Sequence, residues 1–142
     1  MLLLQKLKLL GASRKTLVDV YKHCCRYVLE YCAPVWAGSI SKKNTQDIER
    51  TQKNAFKIIF GSSYTSYEDL LMEIDESTLK ERRDELSLRF AQKCLKNDKF
   101  CSWFPPGVST RGGSHFFEAD AKTKRLKDSA IPYMTCLLNM KK

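Results

Sequence analysis

The chain has few residues that could form a catalytic centre. Its histidines are His23 and His115, and His23 stands directly before the adjacent cysteines Cys24 and Cys25. A cysteine–histidine nucleophile requires the two side chains to meet, but residues one position apart on a helix do not face each other. We therefore expect His23 to be an ordinary helix-surface histidine. His115 has no partner that can be named from the sequence.

Acidic residues give no stronger indication of chemistry. Glu68 with Asp69 and Asp84 with Glu85 are adjacent pairs that are balanced by nearby basic residues. Metal-dependent polymerisation needs carboxylates that converge on two cations, and adjacent residues do not provide this arrangement. The glycines of Arg111-Gly112-Gly113 are too few for a phosphate loop. We predict no catalytic residue, no metal site and no cofactor in this chain.

The cysteines favour a reduced, intracellular protein. No C-x-x-C pair occurs, and the spacing of Cys94, Cys101, His115 and Cys136 fits no common zinc module. Free cysteines are frequent small core residues in reducing compartments. Lys6 and Lys8 interrupt the apolar start, so it does not resemble a signal peptide. We expect a nuclear or cytoplasmic protein that is not secreted, with no membrane partner, because no run reaches about 18 apolar residues.

Charge is distributed unevenly over the 142 residues, whose formal net charge is +9. Residues 1–61 hold 11 Lys and Arg against 4 Asp and Glu, whereas residues 62–99 hold 7 against 9. A basic half beside a nearly neutral half indicates a polyanionic partner, with nucleic acid as the first candidate. The alternative is that the charge serves solubility alone.

Helical periodicity dominates the first 97 residues. Residues 1–12 form a dense leucine helix ending at Gly11, and Ser13 is a good N-cap for the next helix. In that second helix Leu17, Tyr21, Cys24 and Val28 recur at spacings of four and three. Val18, Cys25, Leu29 and Cys32 run alongside them, which predicts a wide buried stripe. Pro34 should end it.

A third helix should run from Ser41 to Gly61, its inner face formed by Ile48, Gln52, Ala55, Phe56 and Ile59. Between these two helices Trp36 is either a core anchor or a platform on which a base or sugar stacks. Ser66 should cap a short fourth helix. Thr78 with Glu81 forms a capping box at the start of a long fifth helix.

These patterns predict an all-α protein. We expect a truncated lead-in helix over 1–12, a small bundle of about four to five helices over 13–97, and a mostly irregular tail over 98–142. The tail contains three of the four prolines and three of the six glycines. Its last residues suit either a short docking helix or an irregular strip.

Cations lie on one side of two consecutive helices. Lys43, Arg50 and Lys57 are seven residues apart, with Lys53 between the last two, and Asp47 and Glu49 are expected off this line. Lys15, Lys22 and Arg26 share a face of the preceding helix. A charge run is usually a solvated face, but two such faces in succession favour binding to phosphates.

Several blocks, in a fixed order, resemble the region after the palm in reverse transcriptases of non-LTR retrotransposons, especially jockey-like elements. The matching residues are Tyr21, Arg26-Tyr27-Val28-Leu29-Glu30-Tyr31, Pro34-Val35-Trp36, Ile48-Glu49-Arg50-Thr51-Gln52-Lys53, Ile58-Ile59-Phe60-Gly61, Thr78-Leu79, Arg82-Arg83, and Ser129-Ala130-Ile131-Pro132-Tyr133-Met134-Thr135-Cys136-Leu137-Leu138-Asn139. Each block is weak alone, but their ordered combination is fairly specific and spans nearly the whole chain.

The resemblance implies the helical thumb and the segment after it, which in such RNA-directed DNA polymerases packs against the backbone of the RNA–DNA template–primer duplex. It implies that phosphates are contacted by a set of cations: Lys15, Lys22, Arg26, Lys43, Arg50, Lys53 and Lys57. The palm aspartates that hold Mg²⁺ in the full-length polymerase have no counterpart here. We therefore expect a transposable-element fragment that is inactive alone, with the missing palm and fingers as further partners.

Two alternatives to the fragment hypothesis stay open. The chain could act as a stand-alone basic helical module for RNA or DNA, or as a protein-interaction module whose basic face is incidental. In isolation the leucines between Leu2 and Leu10 would be exposed, which predicts poor solubility or self-association through the N-terminal helix.

Overall fold

A computed structural model of the protein describes residues 1–110, 113–118, 120 and 122–140. Over these residues the predicted helical class is confirmed, with more helices than the four to five expected and one small antiparallel hairpin. In chain order the elements are α1 (Leu2–Leu9), α2 (Arg14–Val20), a π-helical turn (Tyr21–Arg26), α3 (Tyr27–Glu30), α4 (Ala33–Trp36), α5 (Lys42–Phe60), a 3-10 turn (Gly61–Ser63), α6 (Tyr67–Glu73), α7 (Leu79–Leu95), a 3-10 turn (Cys101–Trp103), β1 (Pro106–Thr110), β2 (Gly113–Phe116), α8 (Lys124–Lys127) and α9 (Ala130–Met140).

The chain divides into two compact units. Unit 1 comprises Met1–Tyr31 and Ser41–Glu81, and unit 2 comprises Cys32–Ile40 and Arg82–Lys142. These units group the residues differently from the division at residues 12 and 97 that we expected from the sequence. The α7 helix starts in unit 1 and continues into unit 2.

Four helices, α2, α5, α6 and α7, begin where the sequence predicted. The hydroxyls of Ser13, Ser41 and Ser66 each accept a hydrogen bond of 3.1 Å from the amide three residues later. At the start of α7 the Glu81 amide donates to Thr78 Oγ1 at 3.2 Å, and the Thr78 amide donates to Glu81 Oε2 at 3.0 Å. These bonds satisfy amides that have no partner within their own helix.

The core of unit 1 forms around one face of α5. Ala55, Phe56, Ile59 and Phe60 are buried together with six side chains of the other elements: Leu4, Leu17, Tyr21, Tyr67, Leu70 and Leu71. The Phe56 ring meets the Tyr21 ring edge-on at 5.4 Å between centroids. The predicted inner face of the third helix is therefore confirmed at Gln52, Ala55, Phe56 and Ile59, and Ile48 is half-buried.

The wide buried stripe predicted for the second helix is confirmed only in part after Tyr21. Leu17 and Tyr21 are buried, but Cys24 and Val28 are exposed. The reason is the π-helical turn, which holds one residue more than an α-helical turn and rotates everything after it by about 100°. Of the residues expected alongside, Cys25 and Leu29 are half-buried and Cys32 is exposed, while Tyr27, Val28 and Tyr31 face solvent.

Unit 2 has its own core, formed by Leu88, Ala91, Cys94, Phe104, Met134 and Leu138. In its hairpin Pro106 pairs with Phe116 and Thr110 pairs with Gly113. The Asn139 side chain bonds both the amide and the carbonyl of Phe116, at 2.9 and 3.1 Å. These bonds join α9 to β2.

The segment after residue 97 is more regular than the sequence indicated. It contains the hairpin, and its end forms the helix α9 rather than an irregular strip. Pro132 does not prevent this helix because it is the third helical residue, where an amide has no partner within the helix. Met134 and Leu138, one turn apart, then bury the inner face of α9.

Candidate nucleic-acid interface

The basic face of α5 is the cluster of Lys43, Arg50, Lys53 and Lys57 in unit 1. Lys43, Arg50 and Lys57 are exposed, and Lys53 is half-buried. Positions seven apart differ by only about 20° around a helix, so the first, second and fourth of these side chains form one line. From residue 43 to residue 57 this line extends about 21 Å along the helix axis.

Two of these lysines lie over tyrosine rings. Lys53 Nζ is 4.6 Å from the centre of the Tyr67 ring, and Lys57 Nζ is 5.8 Å from the centre of the Tyr64 ring. Both distances are within the range of a cation–π interaction, which contributes about 0.5–1 kcal/mol at exposed sites. The rings limit the freedom of two flexible side chains, while each ammonium keeps protons available for a further partner.

Arg50 has an acidic neighbour on the same face. Its Nη1 atom lies 3.2 Å from Asp47 Oδ1, and the two side chains are 71% and 46% exposed. Asp47 stands about 60° from Arg50 around the helix, off the line of cations as expected, but three residues along a helix are close enough for the two side chains to pair. Such an exposed pair is worth at most about 1 kcal/mol, so a phosphate can compete for the arginine.

The three cations predicted on the second helix have different surroundings. Lys15 is exposed. Lys22 Nζ lies 2.9 Å from Glu76 Oε1, and Arg26 forms ion pairs with Glu76 and, at 3.8 Å, with Glu30. Although burial raises the pKa of Glu76, hydrogen bonds from Lys22 and Arg26 lower it below its ordinary value. Glu76 therefore stays charged and neutralises part of this cluster.

Buried polar bonds fix α5 against its neighbours. The Tyr21 hydroxyl donates to Gln52 Oε1 at 2.9 Å, and Gln52 Nε2 donates to the Ser77 carbonyl at 3.4 Å. Gln52 is almost completely buried, so its side chain links Tyr21 and Ser77 within the core of unit 1. These bonds hold the inner face of the helix that carries the cations.

Glu49 makes a second set of bonds one turn earlier. Its Oε1 atom accepts hydrogen bonds from the Tyr67 hydroxyl and, at 3.3 Å, from the Leu79 amide at the start of α7. Burial and then the hydrogen bond to Glu49 raise the pKa of the Tyr67 hydroxyl, which keeps its proton for this bond. A carboxylate at a helix N-terminus is also favoured electrostatically.

The far end of α5 is closed by Gly61 and Lys8. Gly61 has a positive φ of 55°, and Lys8 Nζ donates to the carbonyl of Ile58 in the last turn and, at 3.4 Å, to that of Ile59. A cation at this end also opposes the negative pole of the helix dipole. Lys8 is therefore engaged within unit 1.

Sequence reasoning missed the tyrosines under the basic face. Neither Tyr64 nor Tyr67 was expected to lie beneath the cations of α5. It also missed Arg14, whose guanidinium lies 5.1 Å from the centre of the Phe60 ring and 3.2 Å from Ser63 Oγ. These are contacts between residues distant in sequence, and no local pattern signals them.

His23 does not contact a cysteine or another catalytic partner among the hydrogen bonds described for it. His23 is exposed, and its Nδ1 atom donates a hydrogen bond of 2.8 Å to the Asp19 carbonyl one turn earlier. Within the described ranges no group of three or more His, Cys, Asp or Glu side chains is placed to hold a metal ion. In the same residues no helix has the length and apolar character needed to cross a membrane.

Comparison of the chain with protein-family models, with curated proteins and with solved structures gives no match.

Proposed function

We propose that this chain is the thumb and post-thumb part of a non-LTR retrotransposon reverse transcriptase, and that it holds the backbone of the template–primer duplex. The support from sequence is the ordered set of blocks described above. The support from structure is the basic face of α5, a line of cations on a helix whose opposite side is buried.

The geometry of this face suits phosphates better than bases. About 21 Å of helix faces a duplex in which each strand carries one phosphate per about 3.4 Å of axis. Lysine ammoniums act as point charges and need no particular base, so contacts of this kind position a duplex without reading its sequence. A polymerase that must move along any template requires this property.

Four of the seven cations predicted from sequence make most of the contacts under this proposal: Lys43, Arg50, Lys53 and Lys57. Lys15 is exposed and can add a further contact. Lys22 and Arg26 contribute less under this proposal, because Glu76 already balances part of their charge.

The proposal assigns no chemical step to this chain. The aspartates that hold Mg²⁺ and catalyse polymerisation belong to the palm of the parent protein, which acts inside the cell. What this chain contributes is the position of the duplex beside that palm. The alternative is a stand-alone RNA- or DNA-binding module, which would use the same face of α5.

The test is duplex binding over a salt series. We expect the purified chain to bind a labelled RNA–DNA hybrid, and the logarithm of the binding constant to fall linearly with the logarithm of salt concentration. Changing Lys43, Arg50, Lys53 and Lys57 to Gln should reduce the magnitude of this slope by about 3, since each phosphate contact contributes about 0.7–0.9.

A matched control changes to Gln four exposed lysines of α7 and the residues after it: Lys80, Lys93, Lys96 and Lys99. This variant loses the same charge and should keep most of the slope. If both variants lost the same amount of slope, the effect would depend on net charge alone and not on the basic face of α5. Binding that does not respond to salt would exclude phosphate contacts. Equal affinity for hybrid duplex and for single strands would favour the stand-alone module.

A further inference from the structure

The α1 helix uses only one of its sides within unit 1. Leu4 is fully buried, Leu7 packs against the core, and Lys8 bonds the end of α5. On the opposite side Leu2, Leu3, Leu9 and Leu10 are 72%, 48%, 88% and 83% exposed. Four exposed leucines on eleven residues are far more than the scattered apolar residues that a surface normally carries.

These leucines are arranged symmetrically about Lys6. Leu2 and Leu10 are four positions from it, and Leu3 and Leu9 are three positions from it. At 100° per residue the five side chains cover an arc of about 120°, with Lys6 near its middle. Reversing the direction of the helix therefore presents the same pattern.

We propose that this face binds a second copy of the chain, with two α1 helices packed antiparallel across a two-fold axis near Lys6. A two-fold interface requires a self-complementary surface, in which residue i of one chain meets residue j of the other and the reverse. Here Leu2 meets Leu9 of the second copy and Leu3 meets Leu10. The Lys6 stems pack over the leucines while their ammoniums extend into water.

The size of the face limits the strength of the dimer. Four leucines and a lysine stem bury less than the roughly 800 Å² that each partner contributes to a standard interface. We therefore expect a dissociation constant in the micromolar range, about 1–100 µM.

Charge gives this dimer a salt dependence of its own. Each chain carries a net charge of +9, and two Lys6 ammoniums approach each other at the axis. Salt screens this repulsion, so dimerisation should strengthen as salt concentration rises. Nucleic-acid binding should weaken over the same series. The proposed dimer and the proposed function can therefore be disproved separately.

The first experiment is sedimentation velocity of the full chain from about 1 to 200 µM under reducing conditions, which prevents disulfides between exposed cysteines. We expect a monomer–dimer equilibrium whose dissociation constant rises at least about tenfold in the double variant Leu9→Gln/Leu10→Gln. Both leucines are more than four-fifths exposed, so the fold should be retained, as circular dichroism melting would verify.

The matched control is Met72→Gln on α6. Met72 is 74% exposed and lies in unit 1, but outside α1. This variant should dimerise like the wild type. A monomer over the whole concentration range would overturn the proposal, and so would a dimer that responds equally to both changes or to neither.

The second experiment tests the position of the axis with Lys6→Glu. In a homodimer of the variant two negative charges meet at residue 6, as two positive charges do in the wild type. A mixed dimer of wild type and variant brings Lys6 against a glutamate of opposite charge. We expect the mixed dimer to form at least about threefold more tightly than either homodimer, as measured by energy transfer between differently labelled chains. Equal affinities of the three dimers would place Lys6 away from the axis and overturn the antiparallel arrangement.

The third experiment tests whether a lipid surface, and not a second copy of the chain, covers the leucines. The chain is mixed with vesicles of phosphatidylcholine and phosphatidylserine and separated by flotation. A chain that stays monomeric in solution and floats with vesicles only when Leu9 and Leu10 are intact would assign the face to lipid and overturn the dimer. A dimer that does not float supports the proposal.

Discussion

Lys53 Nζ lies 4.6 Å from the centre of the Tyr67 ring, so a cation of the basic face rests on a side chain from another helix. The same tyrosine donates its hydroxyl to the half-buried Glu49. One residue therefore connects the surface proposed for nucleic acid with the polar bonds of the core. The two connections involve different atoms and can be separated by mutation.

Tyr67→Phe should destabilise the protein without weakening duplex binding. The ring stays under Lys53, but Glu49 Oε1 loses a donor, which should lower the free energy of unfolding by about 1–3 kcal/mol. Urea denaturation measures the first effect, and hybrid binding at a temperature where both proteins are folded measures the second. If Tyr67→Phe weakened binding as much as Lys53→Gln does, the two roles would not be separable.

Tyr21 and Gln52 should prove energetically coupled. Tyr21→Phe leaves the buried Gln52 Oε1 without its donor, at a cost of about 1–3 kcal/mol. In a double-mutant cycle with Gln52→Leu, the double variant should cost less than the sum of the two single variants by about 0.5–3 kcal/mol. Strict additivity would mean that this bond contributes nothing measurable to stability.

Glu76 should give the protein an acid-sensitive component of stability. Its folded pKa is lowered from 4.5 by Lys22 and Arg26, so the carboxylate binds protons less readily in the folded chain than in the unfolded chain. The stabilisation is therefore complete above about pH 5 and is lost as pH falls through 4.5 and below.

The variant Glu76→Gln isolates this component. At neutral pH it should be less stable than the wild type by about 1.5–3 kcal/mol, because two cations lose a charged hydrogen-bond acceptor. Denaturation curves between pH 7 and pH 3 should show this difference shrinking at the acid end. A difference that grew on acidification would contradict the lowered pKa.

The π-helical turn makes a prediction at positions 17 and 28. Leu17→Ala should cost about 2–5 kcal/mol because it leaves a cavity in the core. Val28→Ala should change stability by less than about 0.5 kcal/mol, because Val28 is exposed. A straight α-helix would bury both residues, so comparable losses in thermal denaturation would show that the turn is not present.

Gly38 and Gly11 should be intolerant of alanine for different reasons. A Cβ atom on Gly38 would lie 2.6 Å from the Asp128 carbonyl oxygen and 2.7 Å from Tyr133 Cβ, so Gly38→Ala should cost about 1–3 kcal/mol. Gly11 has open space but a φ of 81°, and Gly11→Ala should cost about 1–2 kcal/mol. Differential scanning calorimetry checks both, and a D-alanine introduced by synthesis should be tolerated only at position 11.

The features that the sequence predicted correctly are local ones. Ser13, Ser41, Ser66 and the Thr78–Glu81 box each act within three residues, so the residue types alone locate these helix starts. The inner face of α5 was also predictable, because an unbroken helix keeps its phase from end to end.

The features that the sequence could not predict depend on distant or cooperative contacts. Glu76 is 50 residues from Arg26, and Tyr67 is 14 residues from Lys53 on a different helix. The change of phase at Tyr21–Arg26 leaves no mark in a hydrophobic pattern that fits a regular helix equally well. The basic face was therefore recognisable as a set of cations, but its supporting residues were not.

The π-helical turn also bears on how this chain can tolerate insertions and deletions. Loss of a single codon within residues 21–26 would restore ordinary α-helical spacing without breaking the helix. Every side chain from Tyr27 to Glu30 would then turn by about 100°, which would exchange the residues that face water with those that face the core. At this one place, a change in length would act as several substitutions made at once.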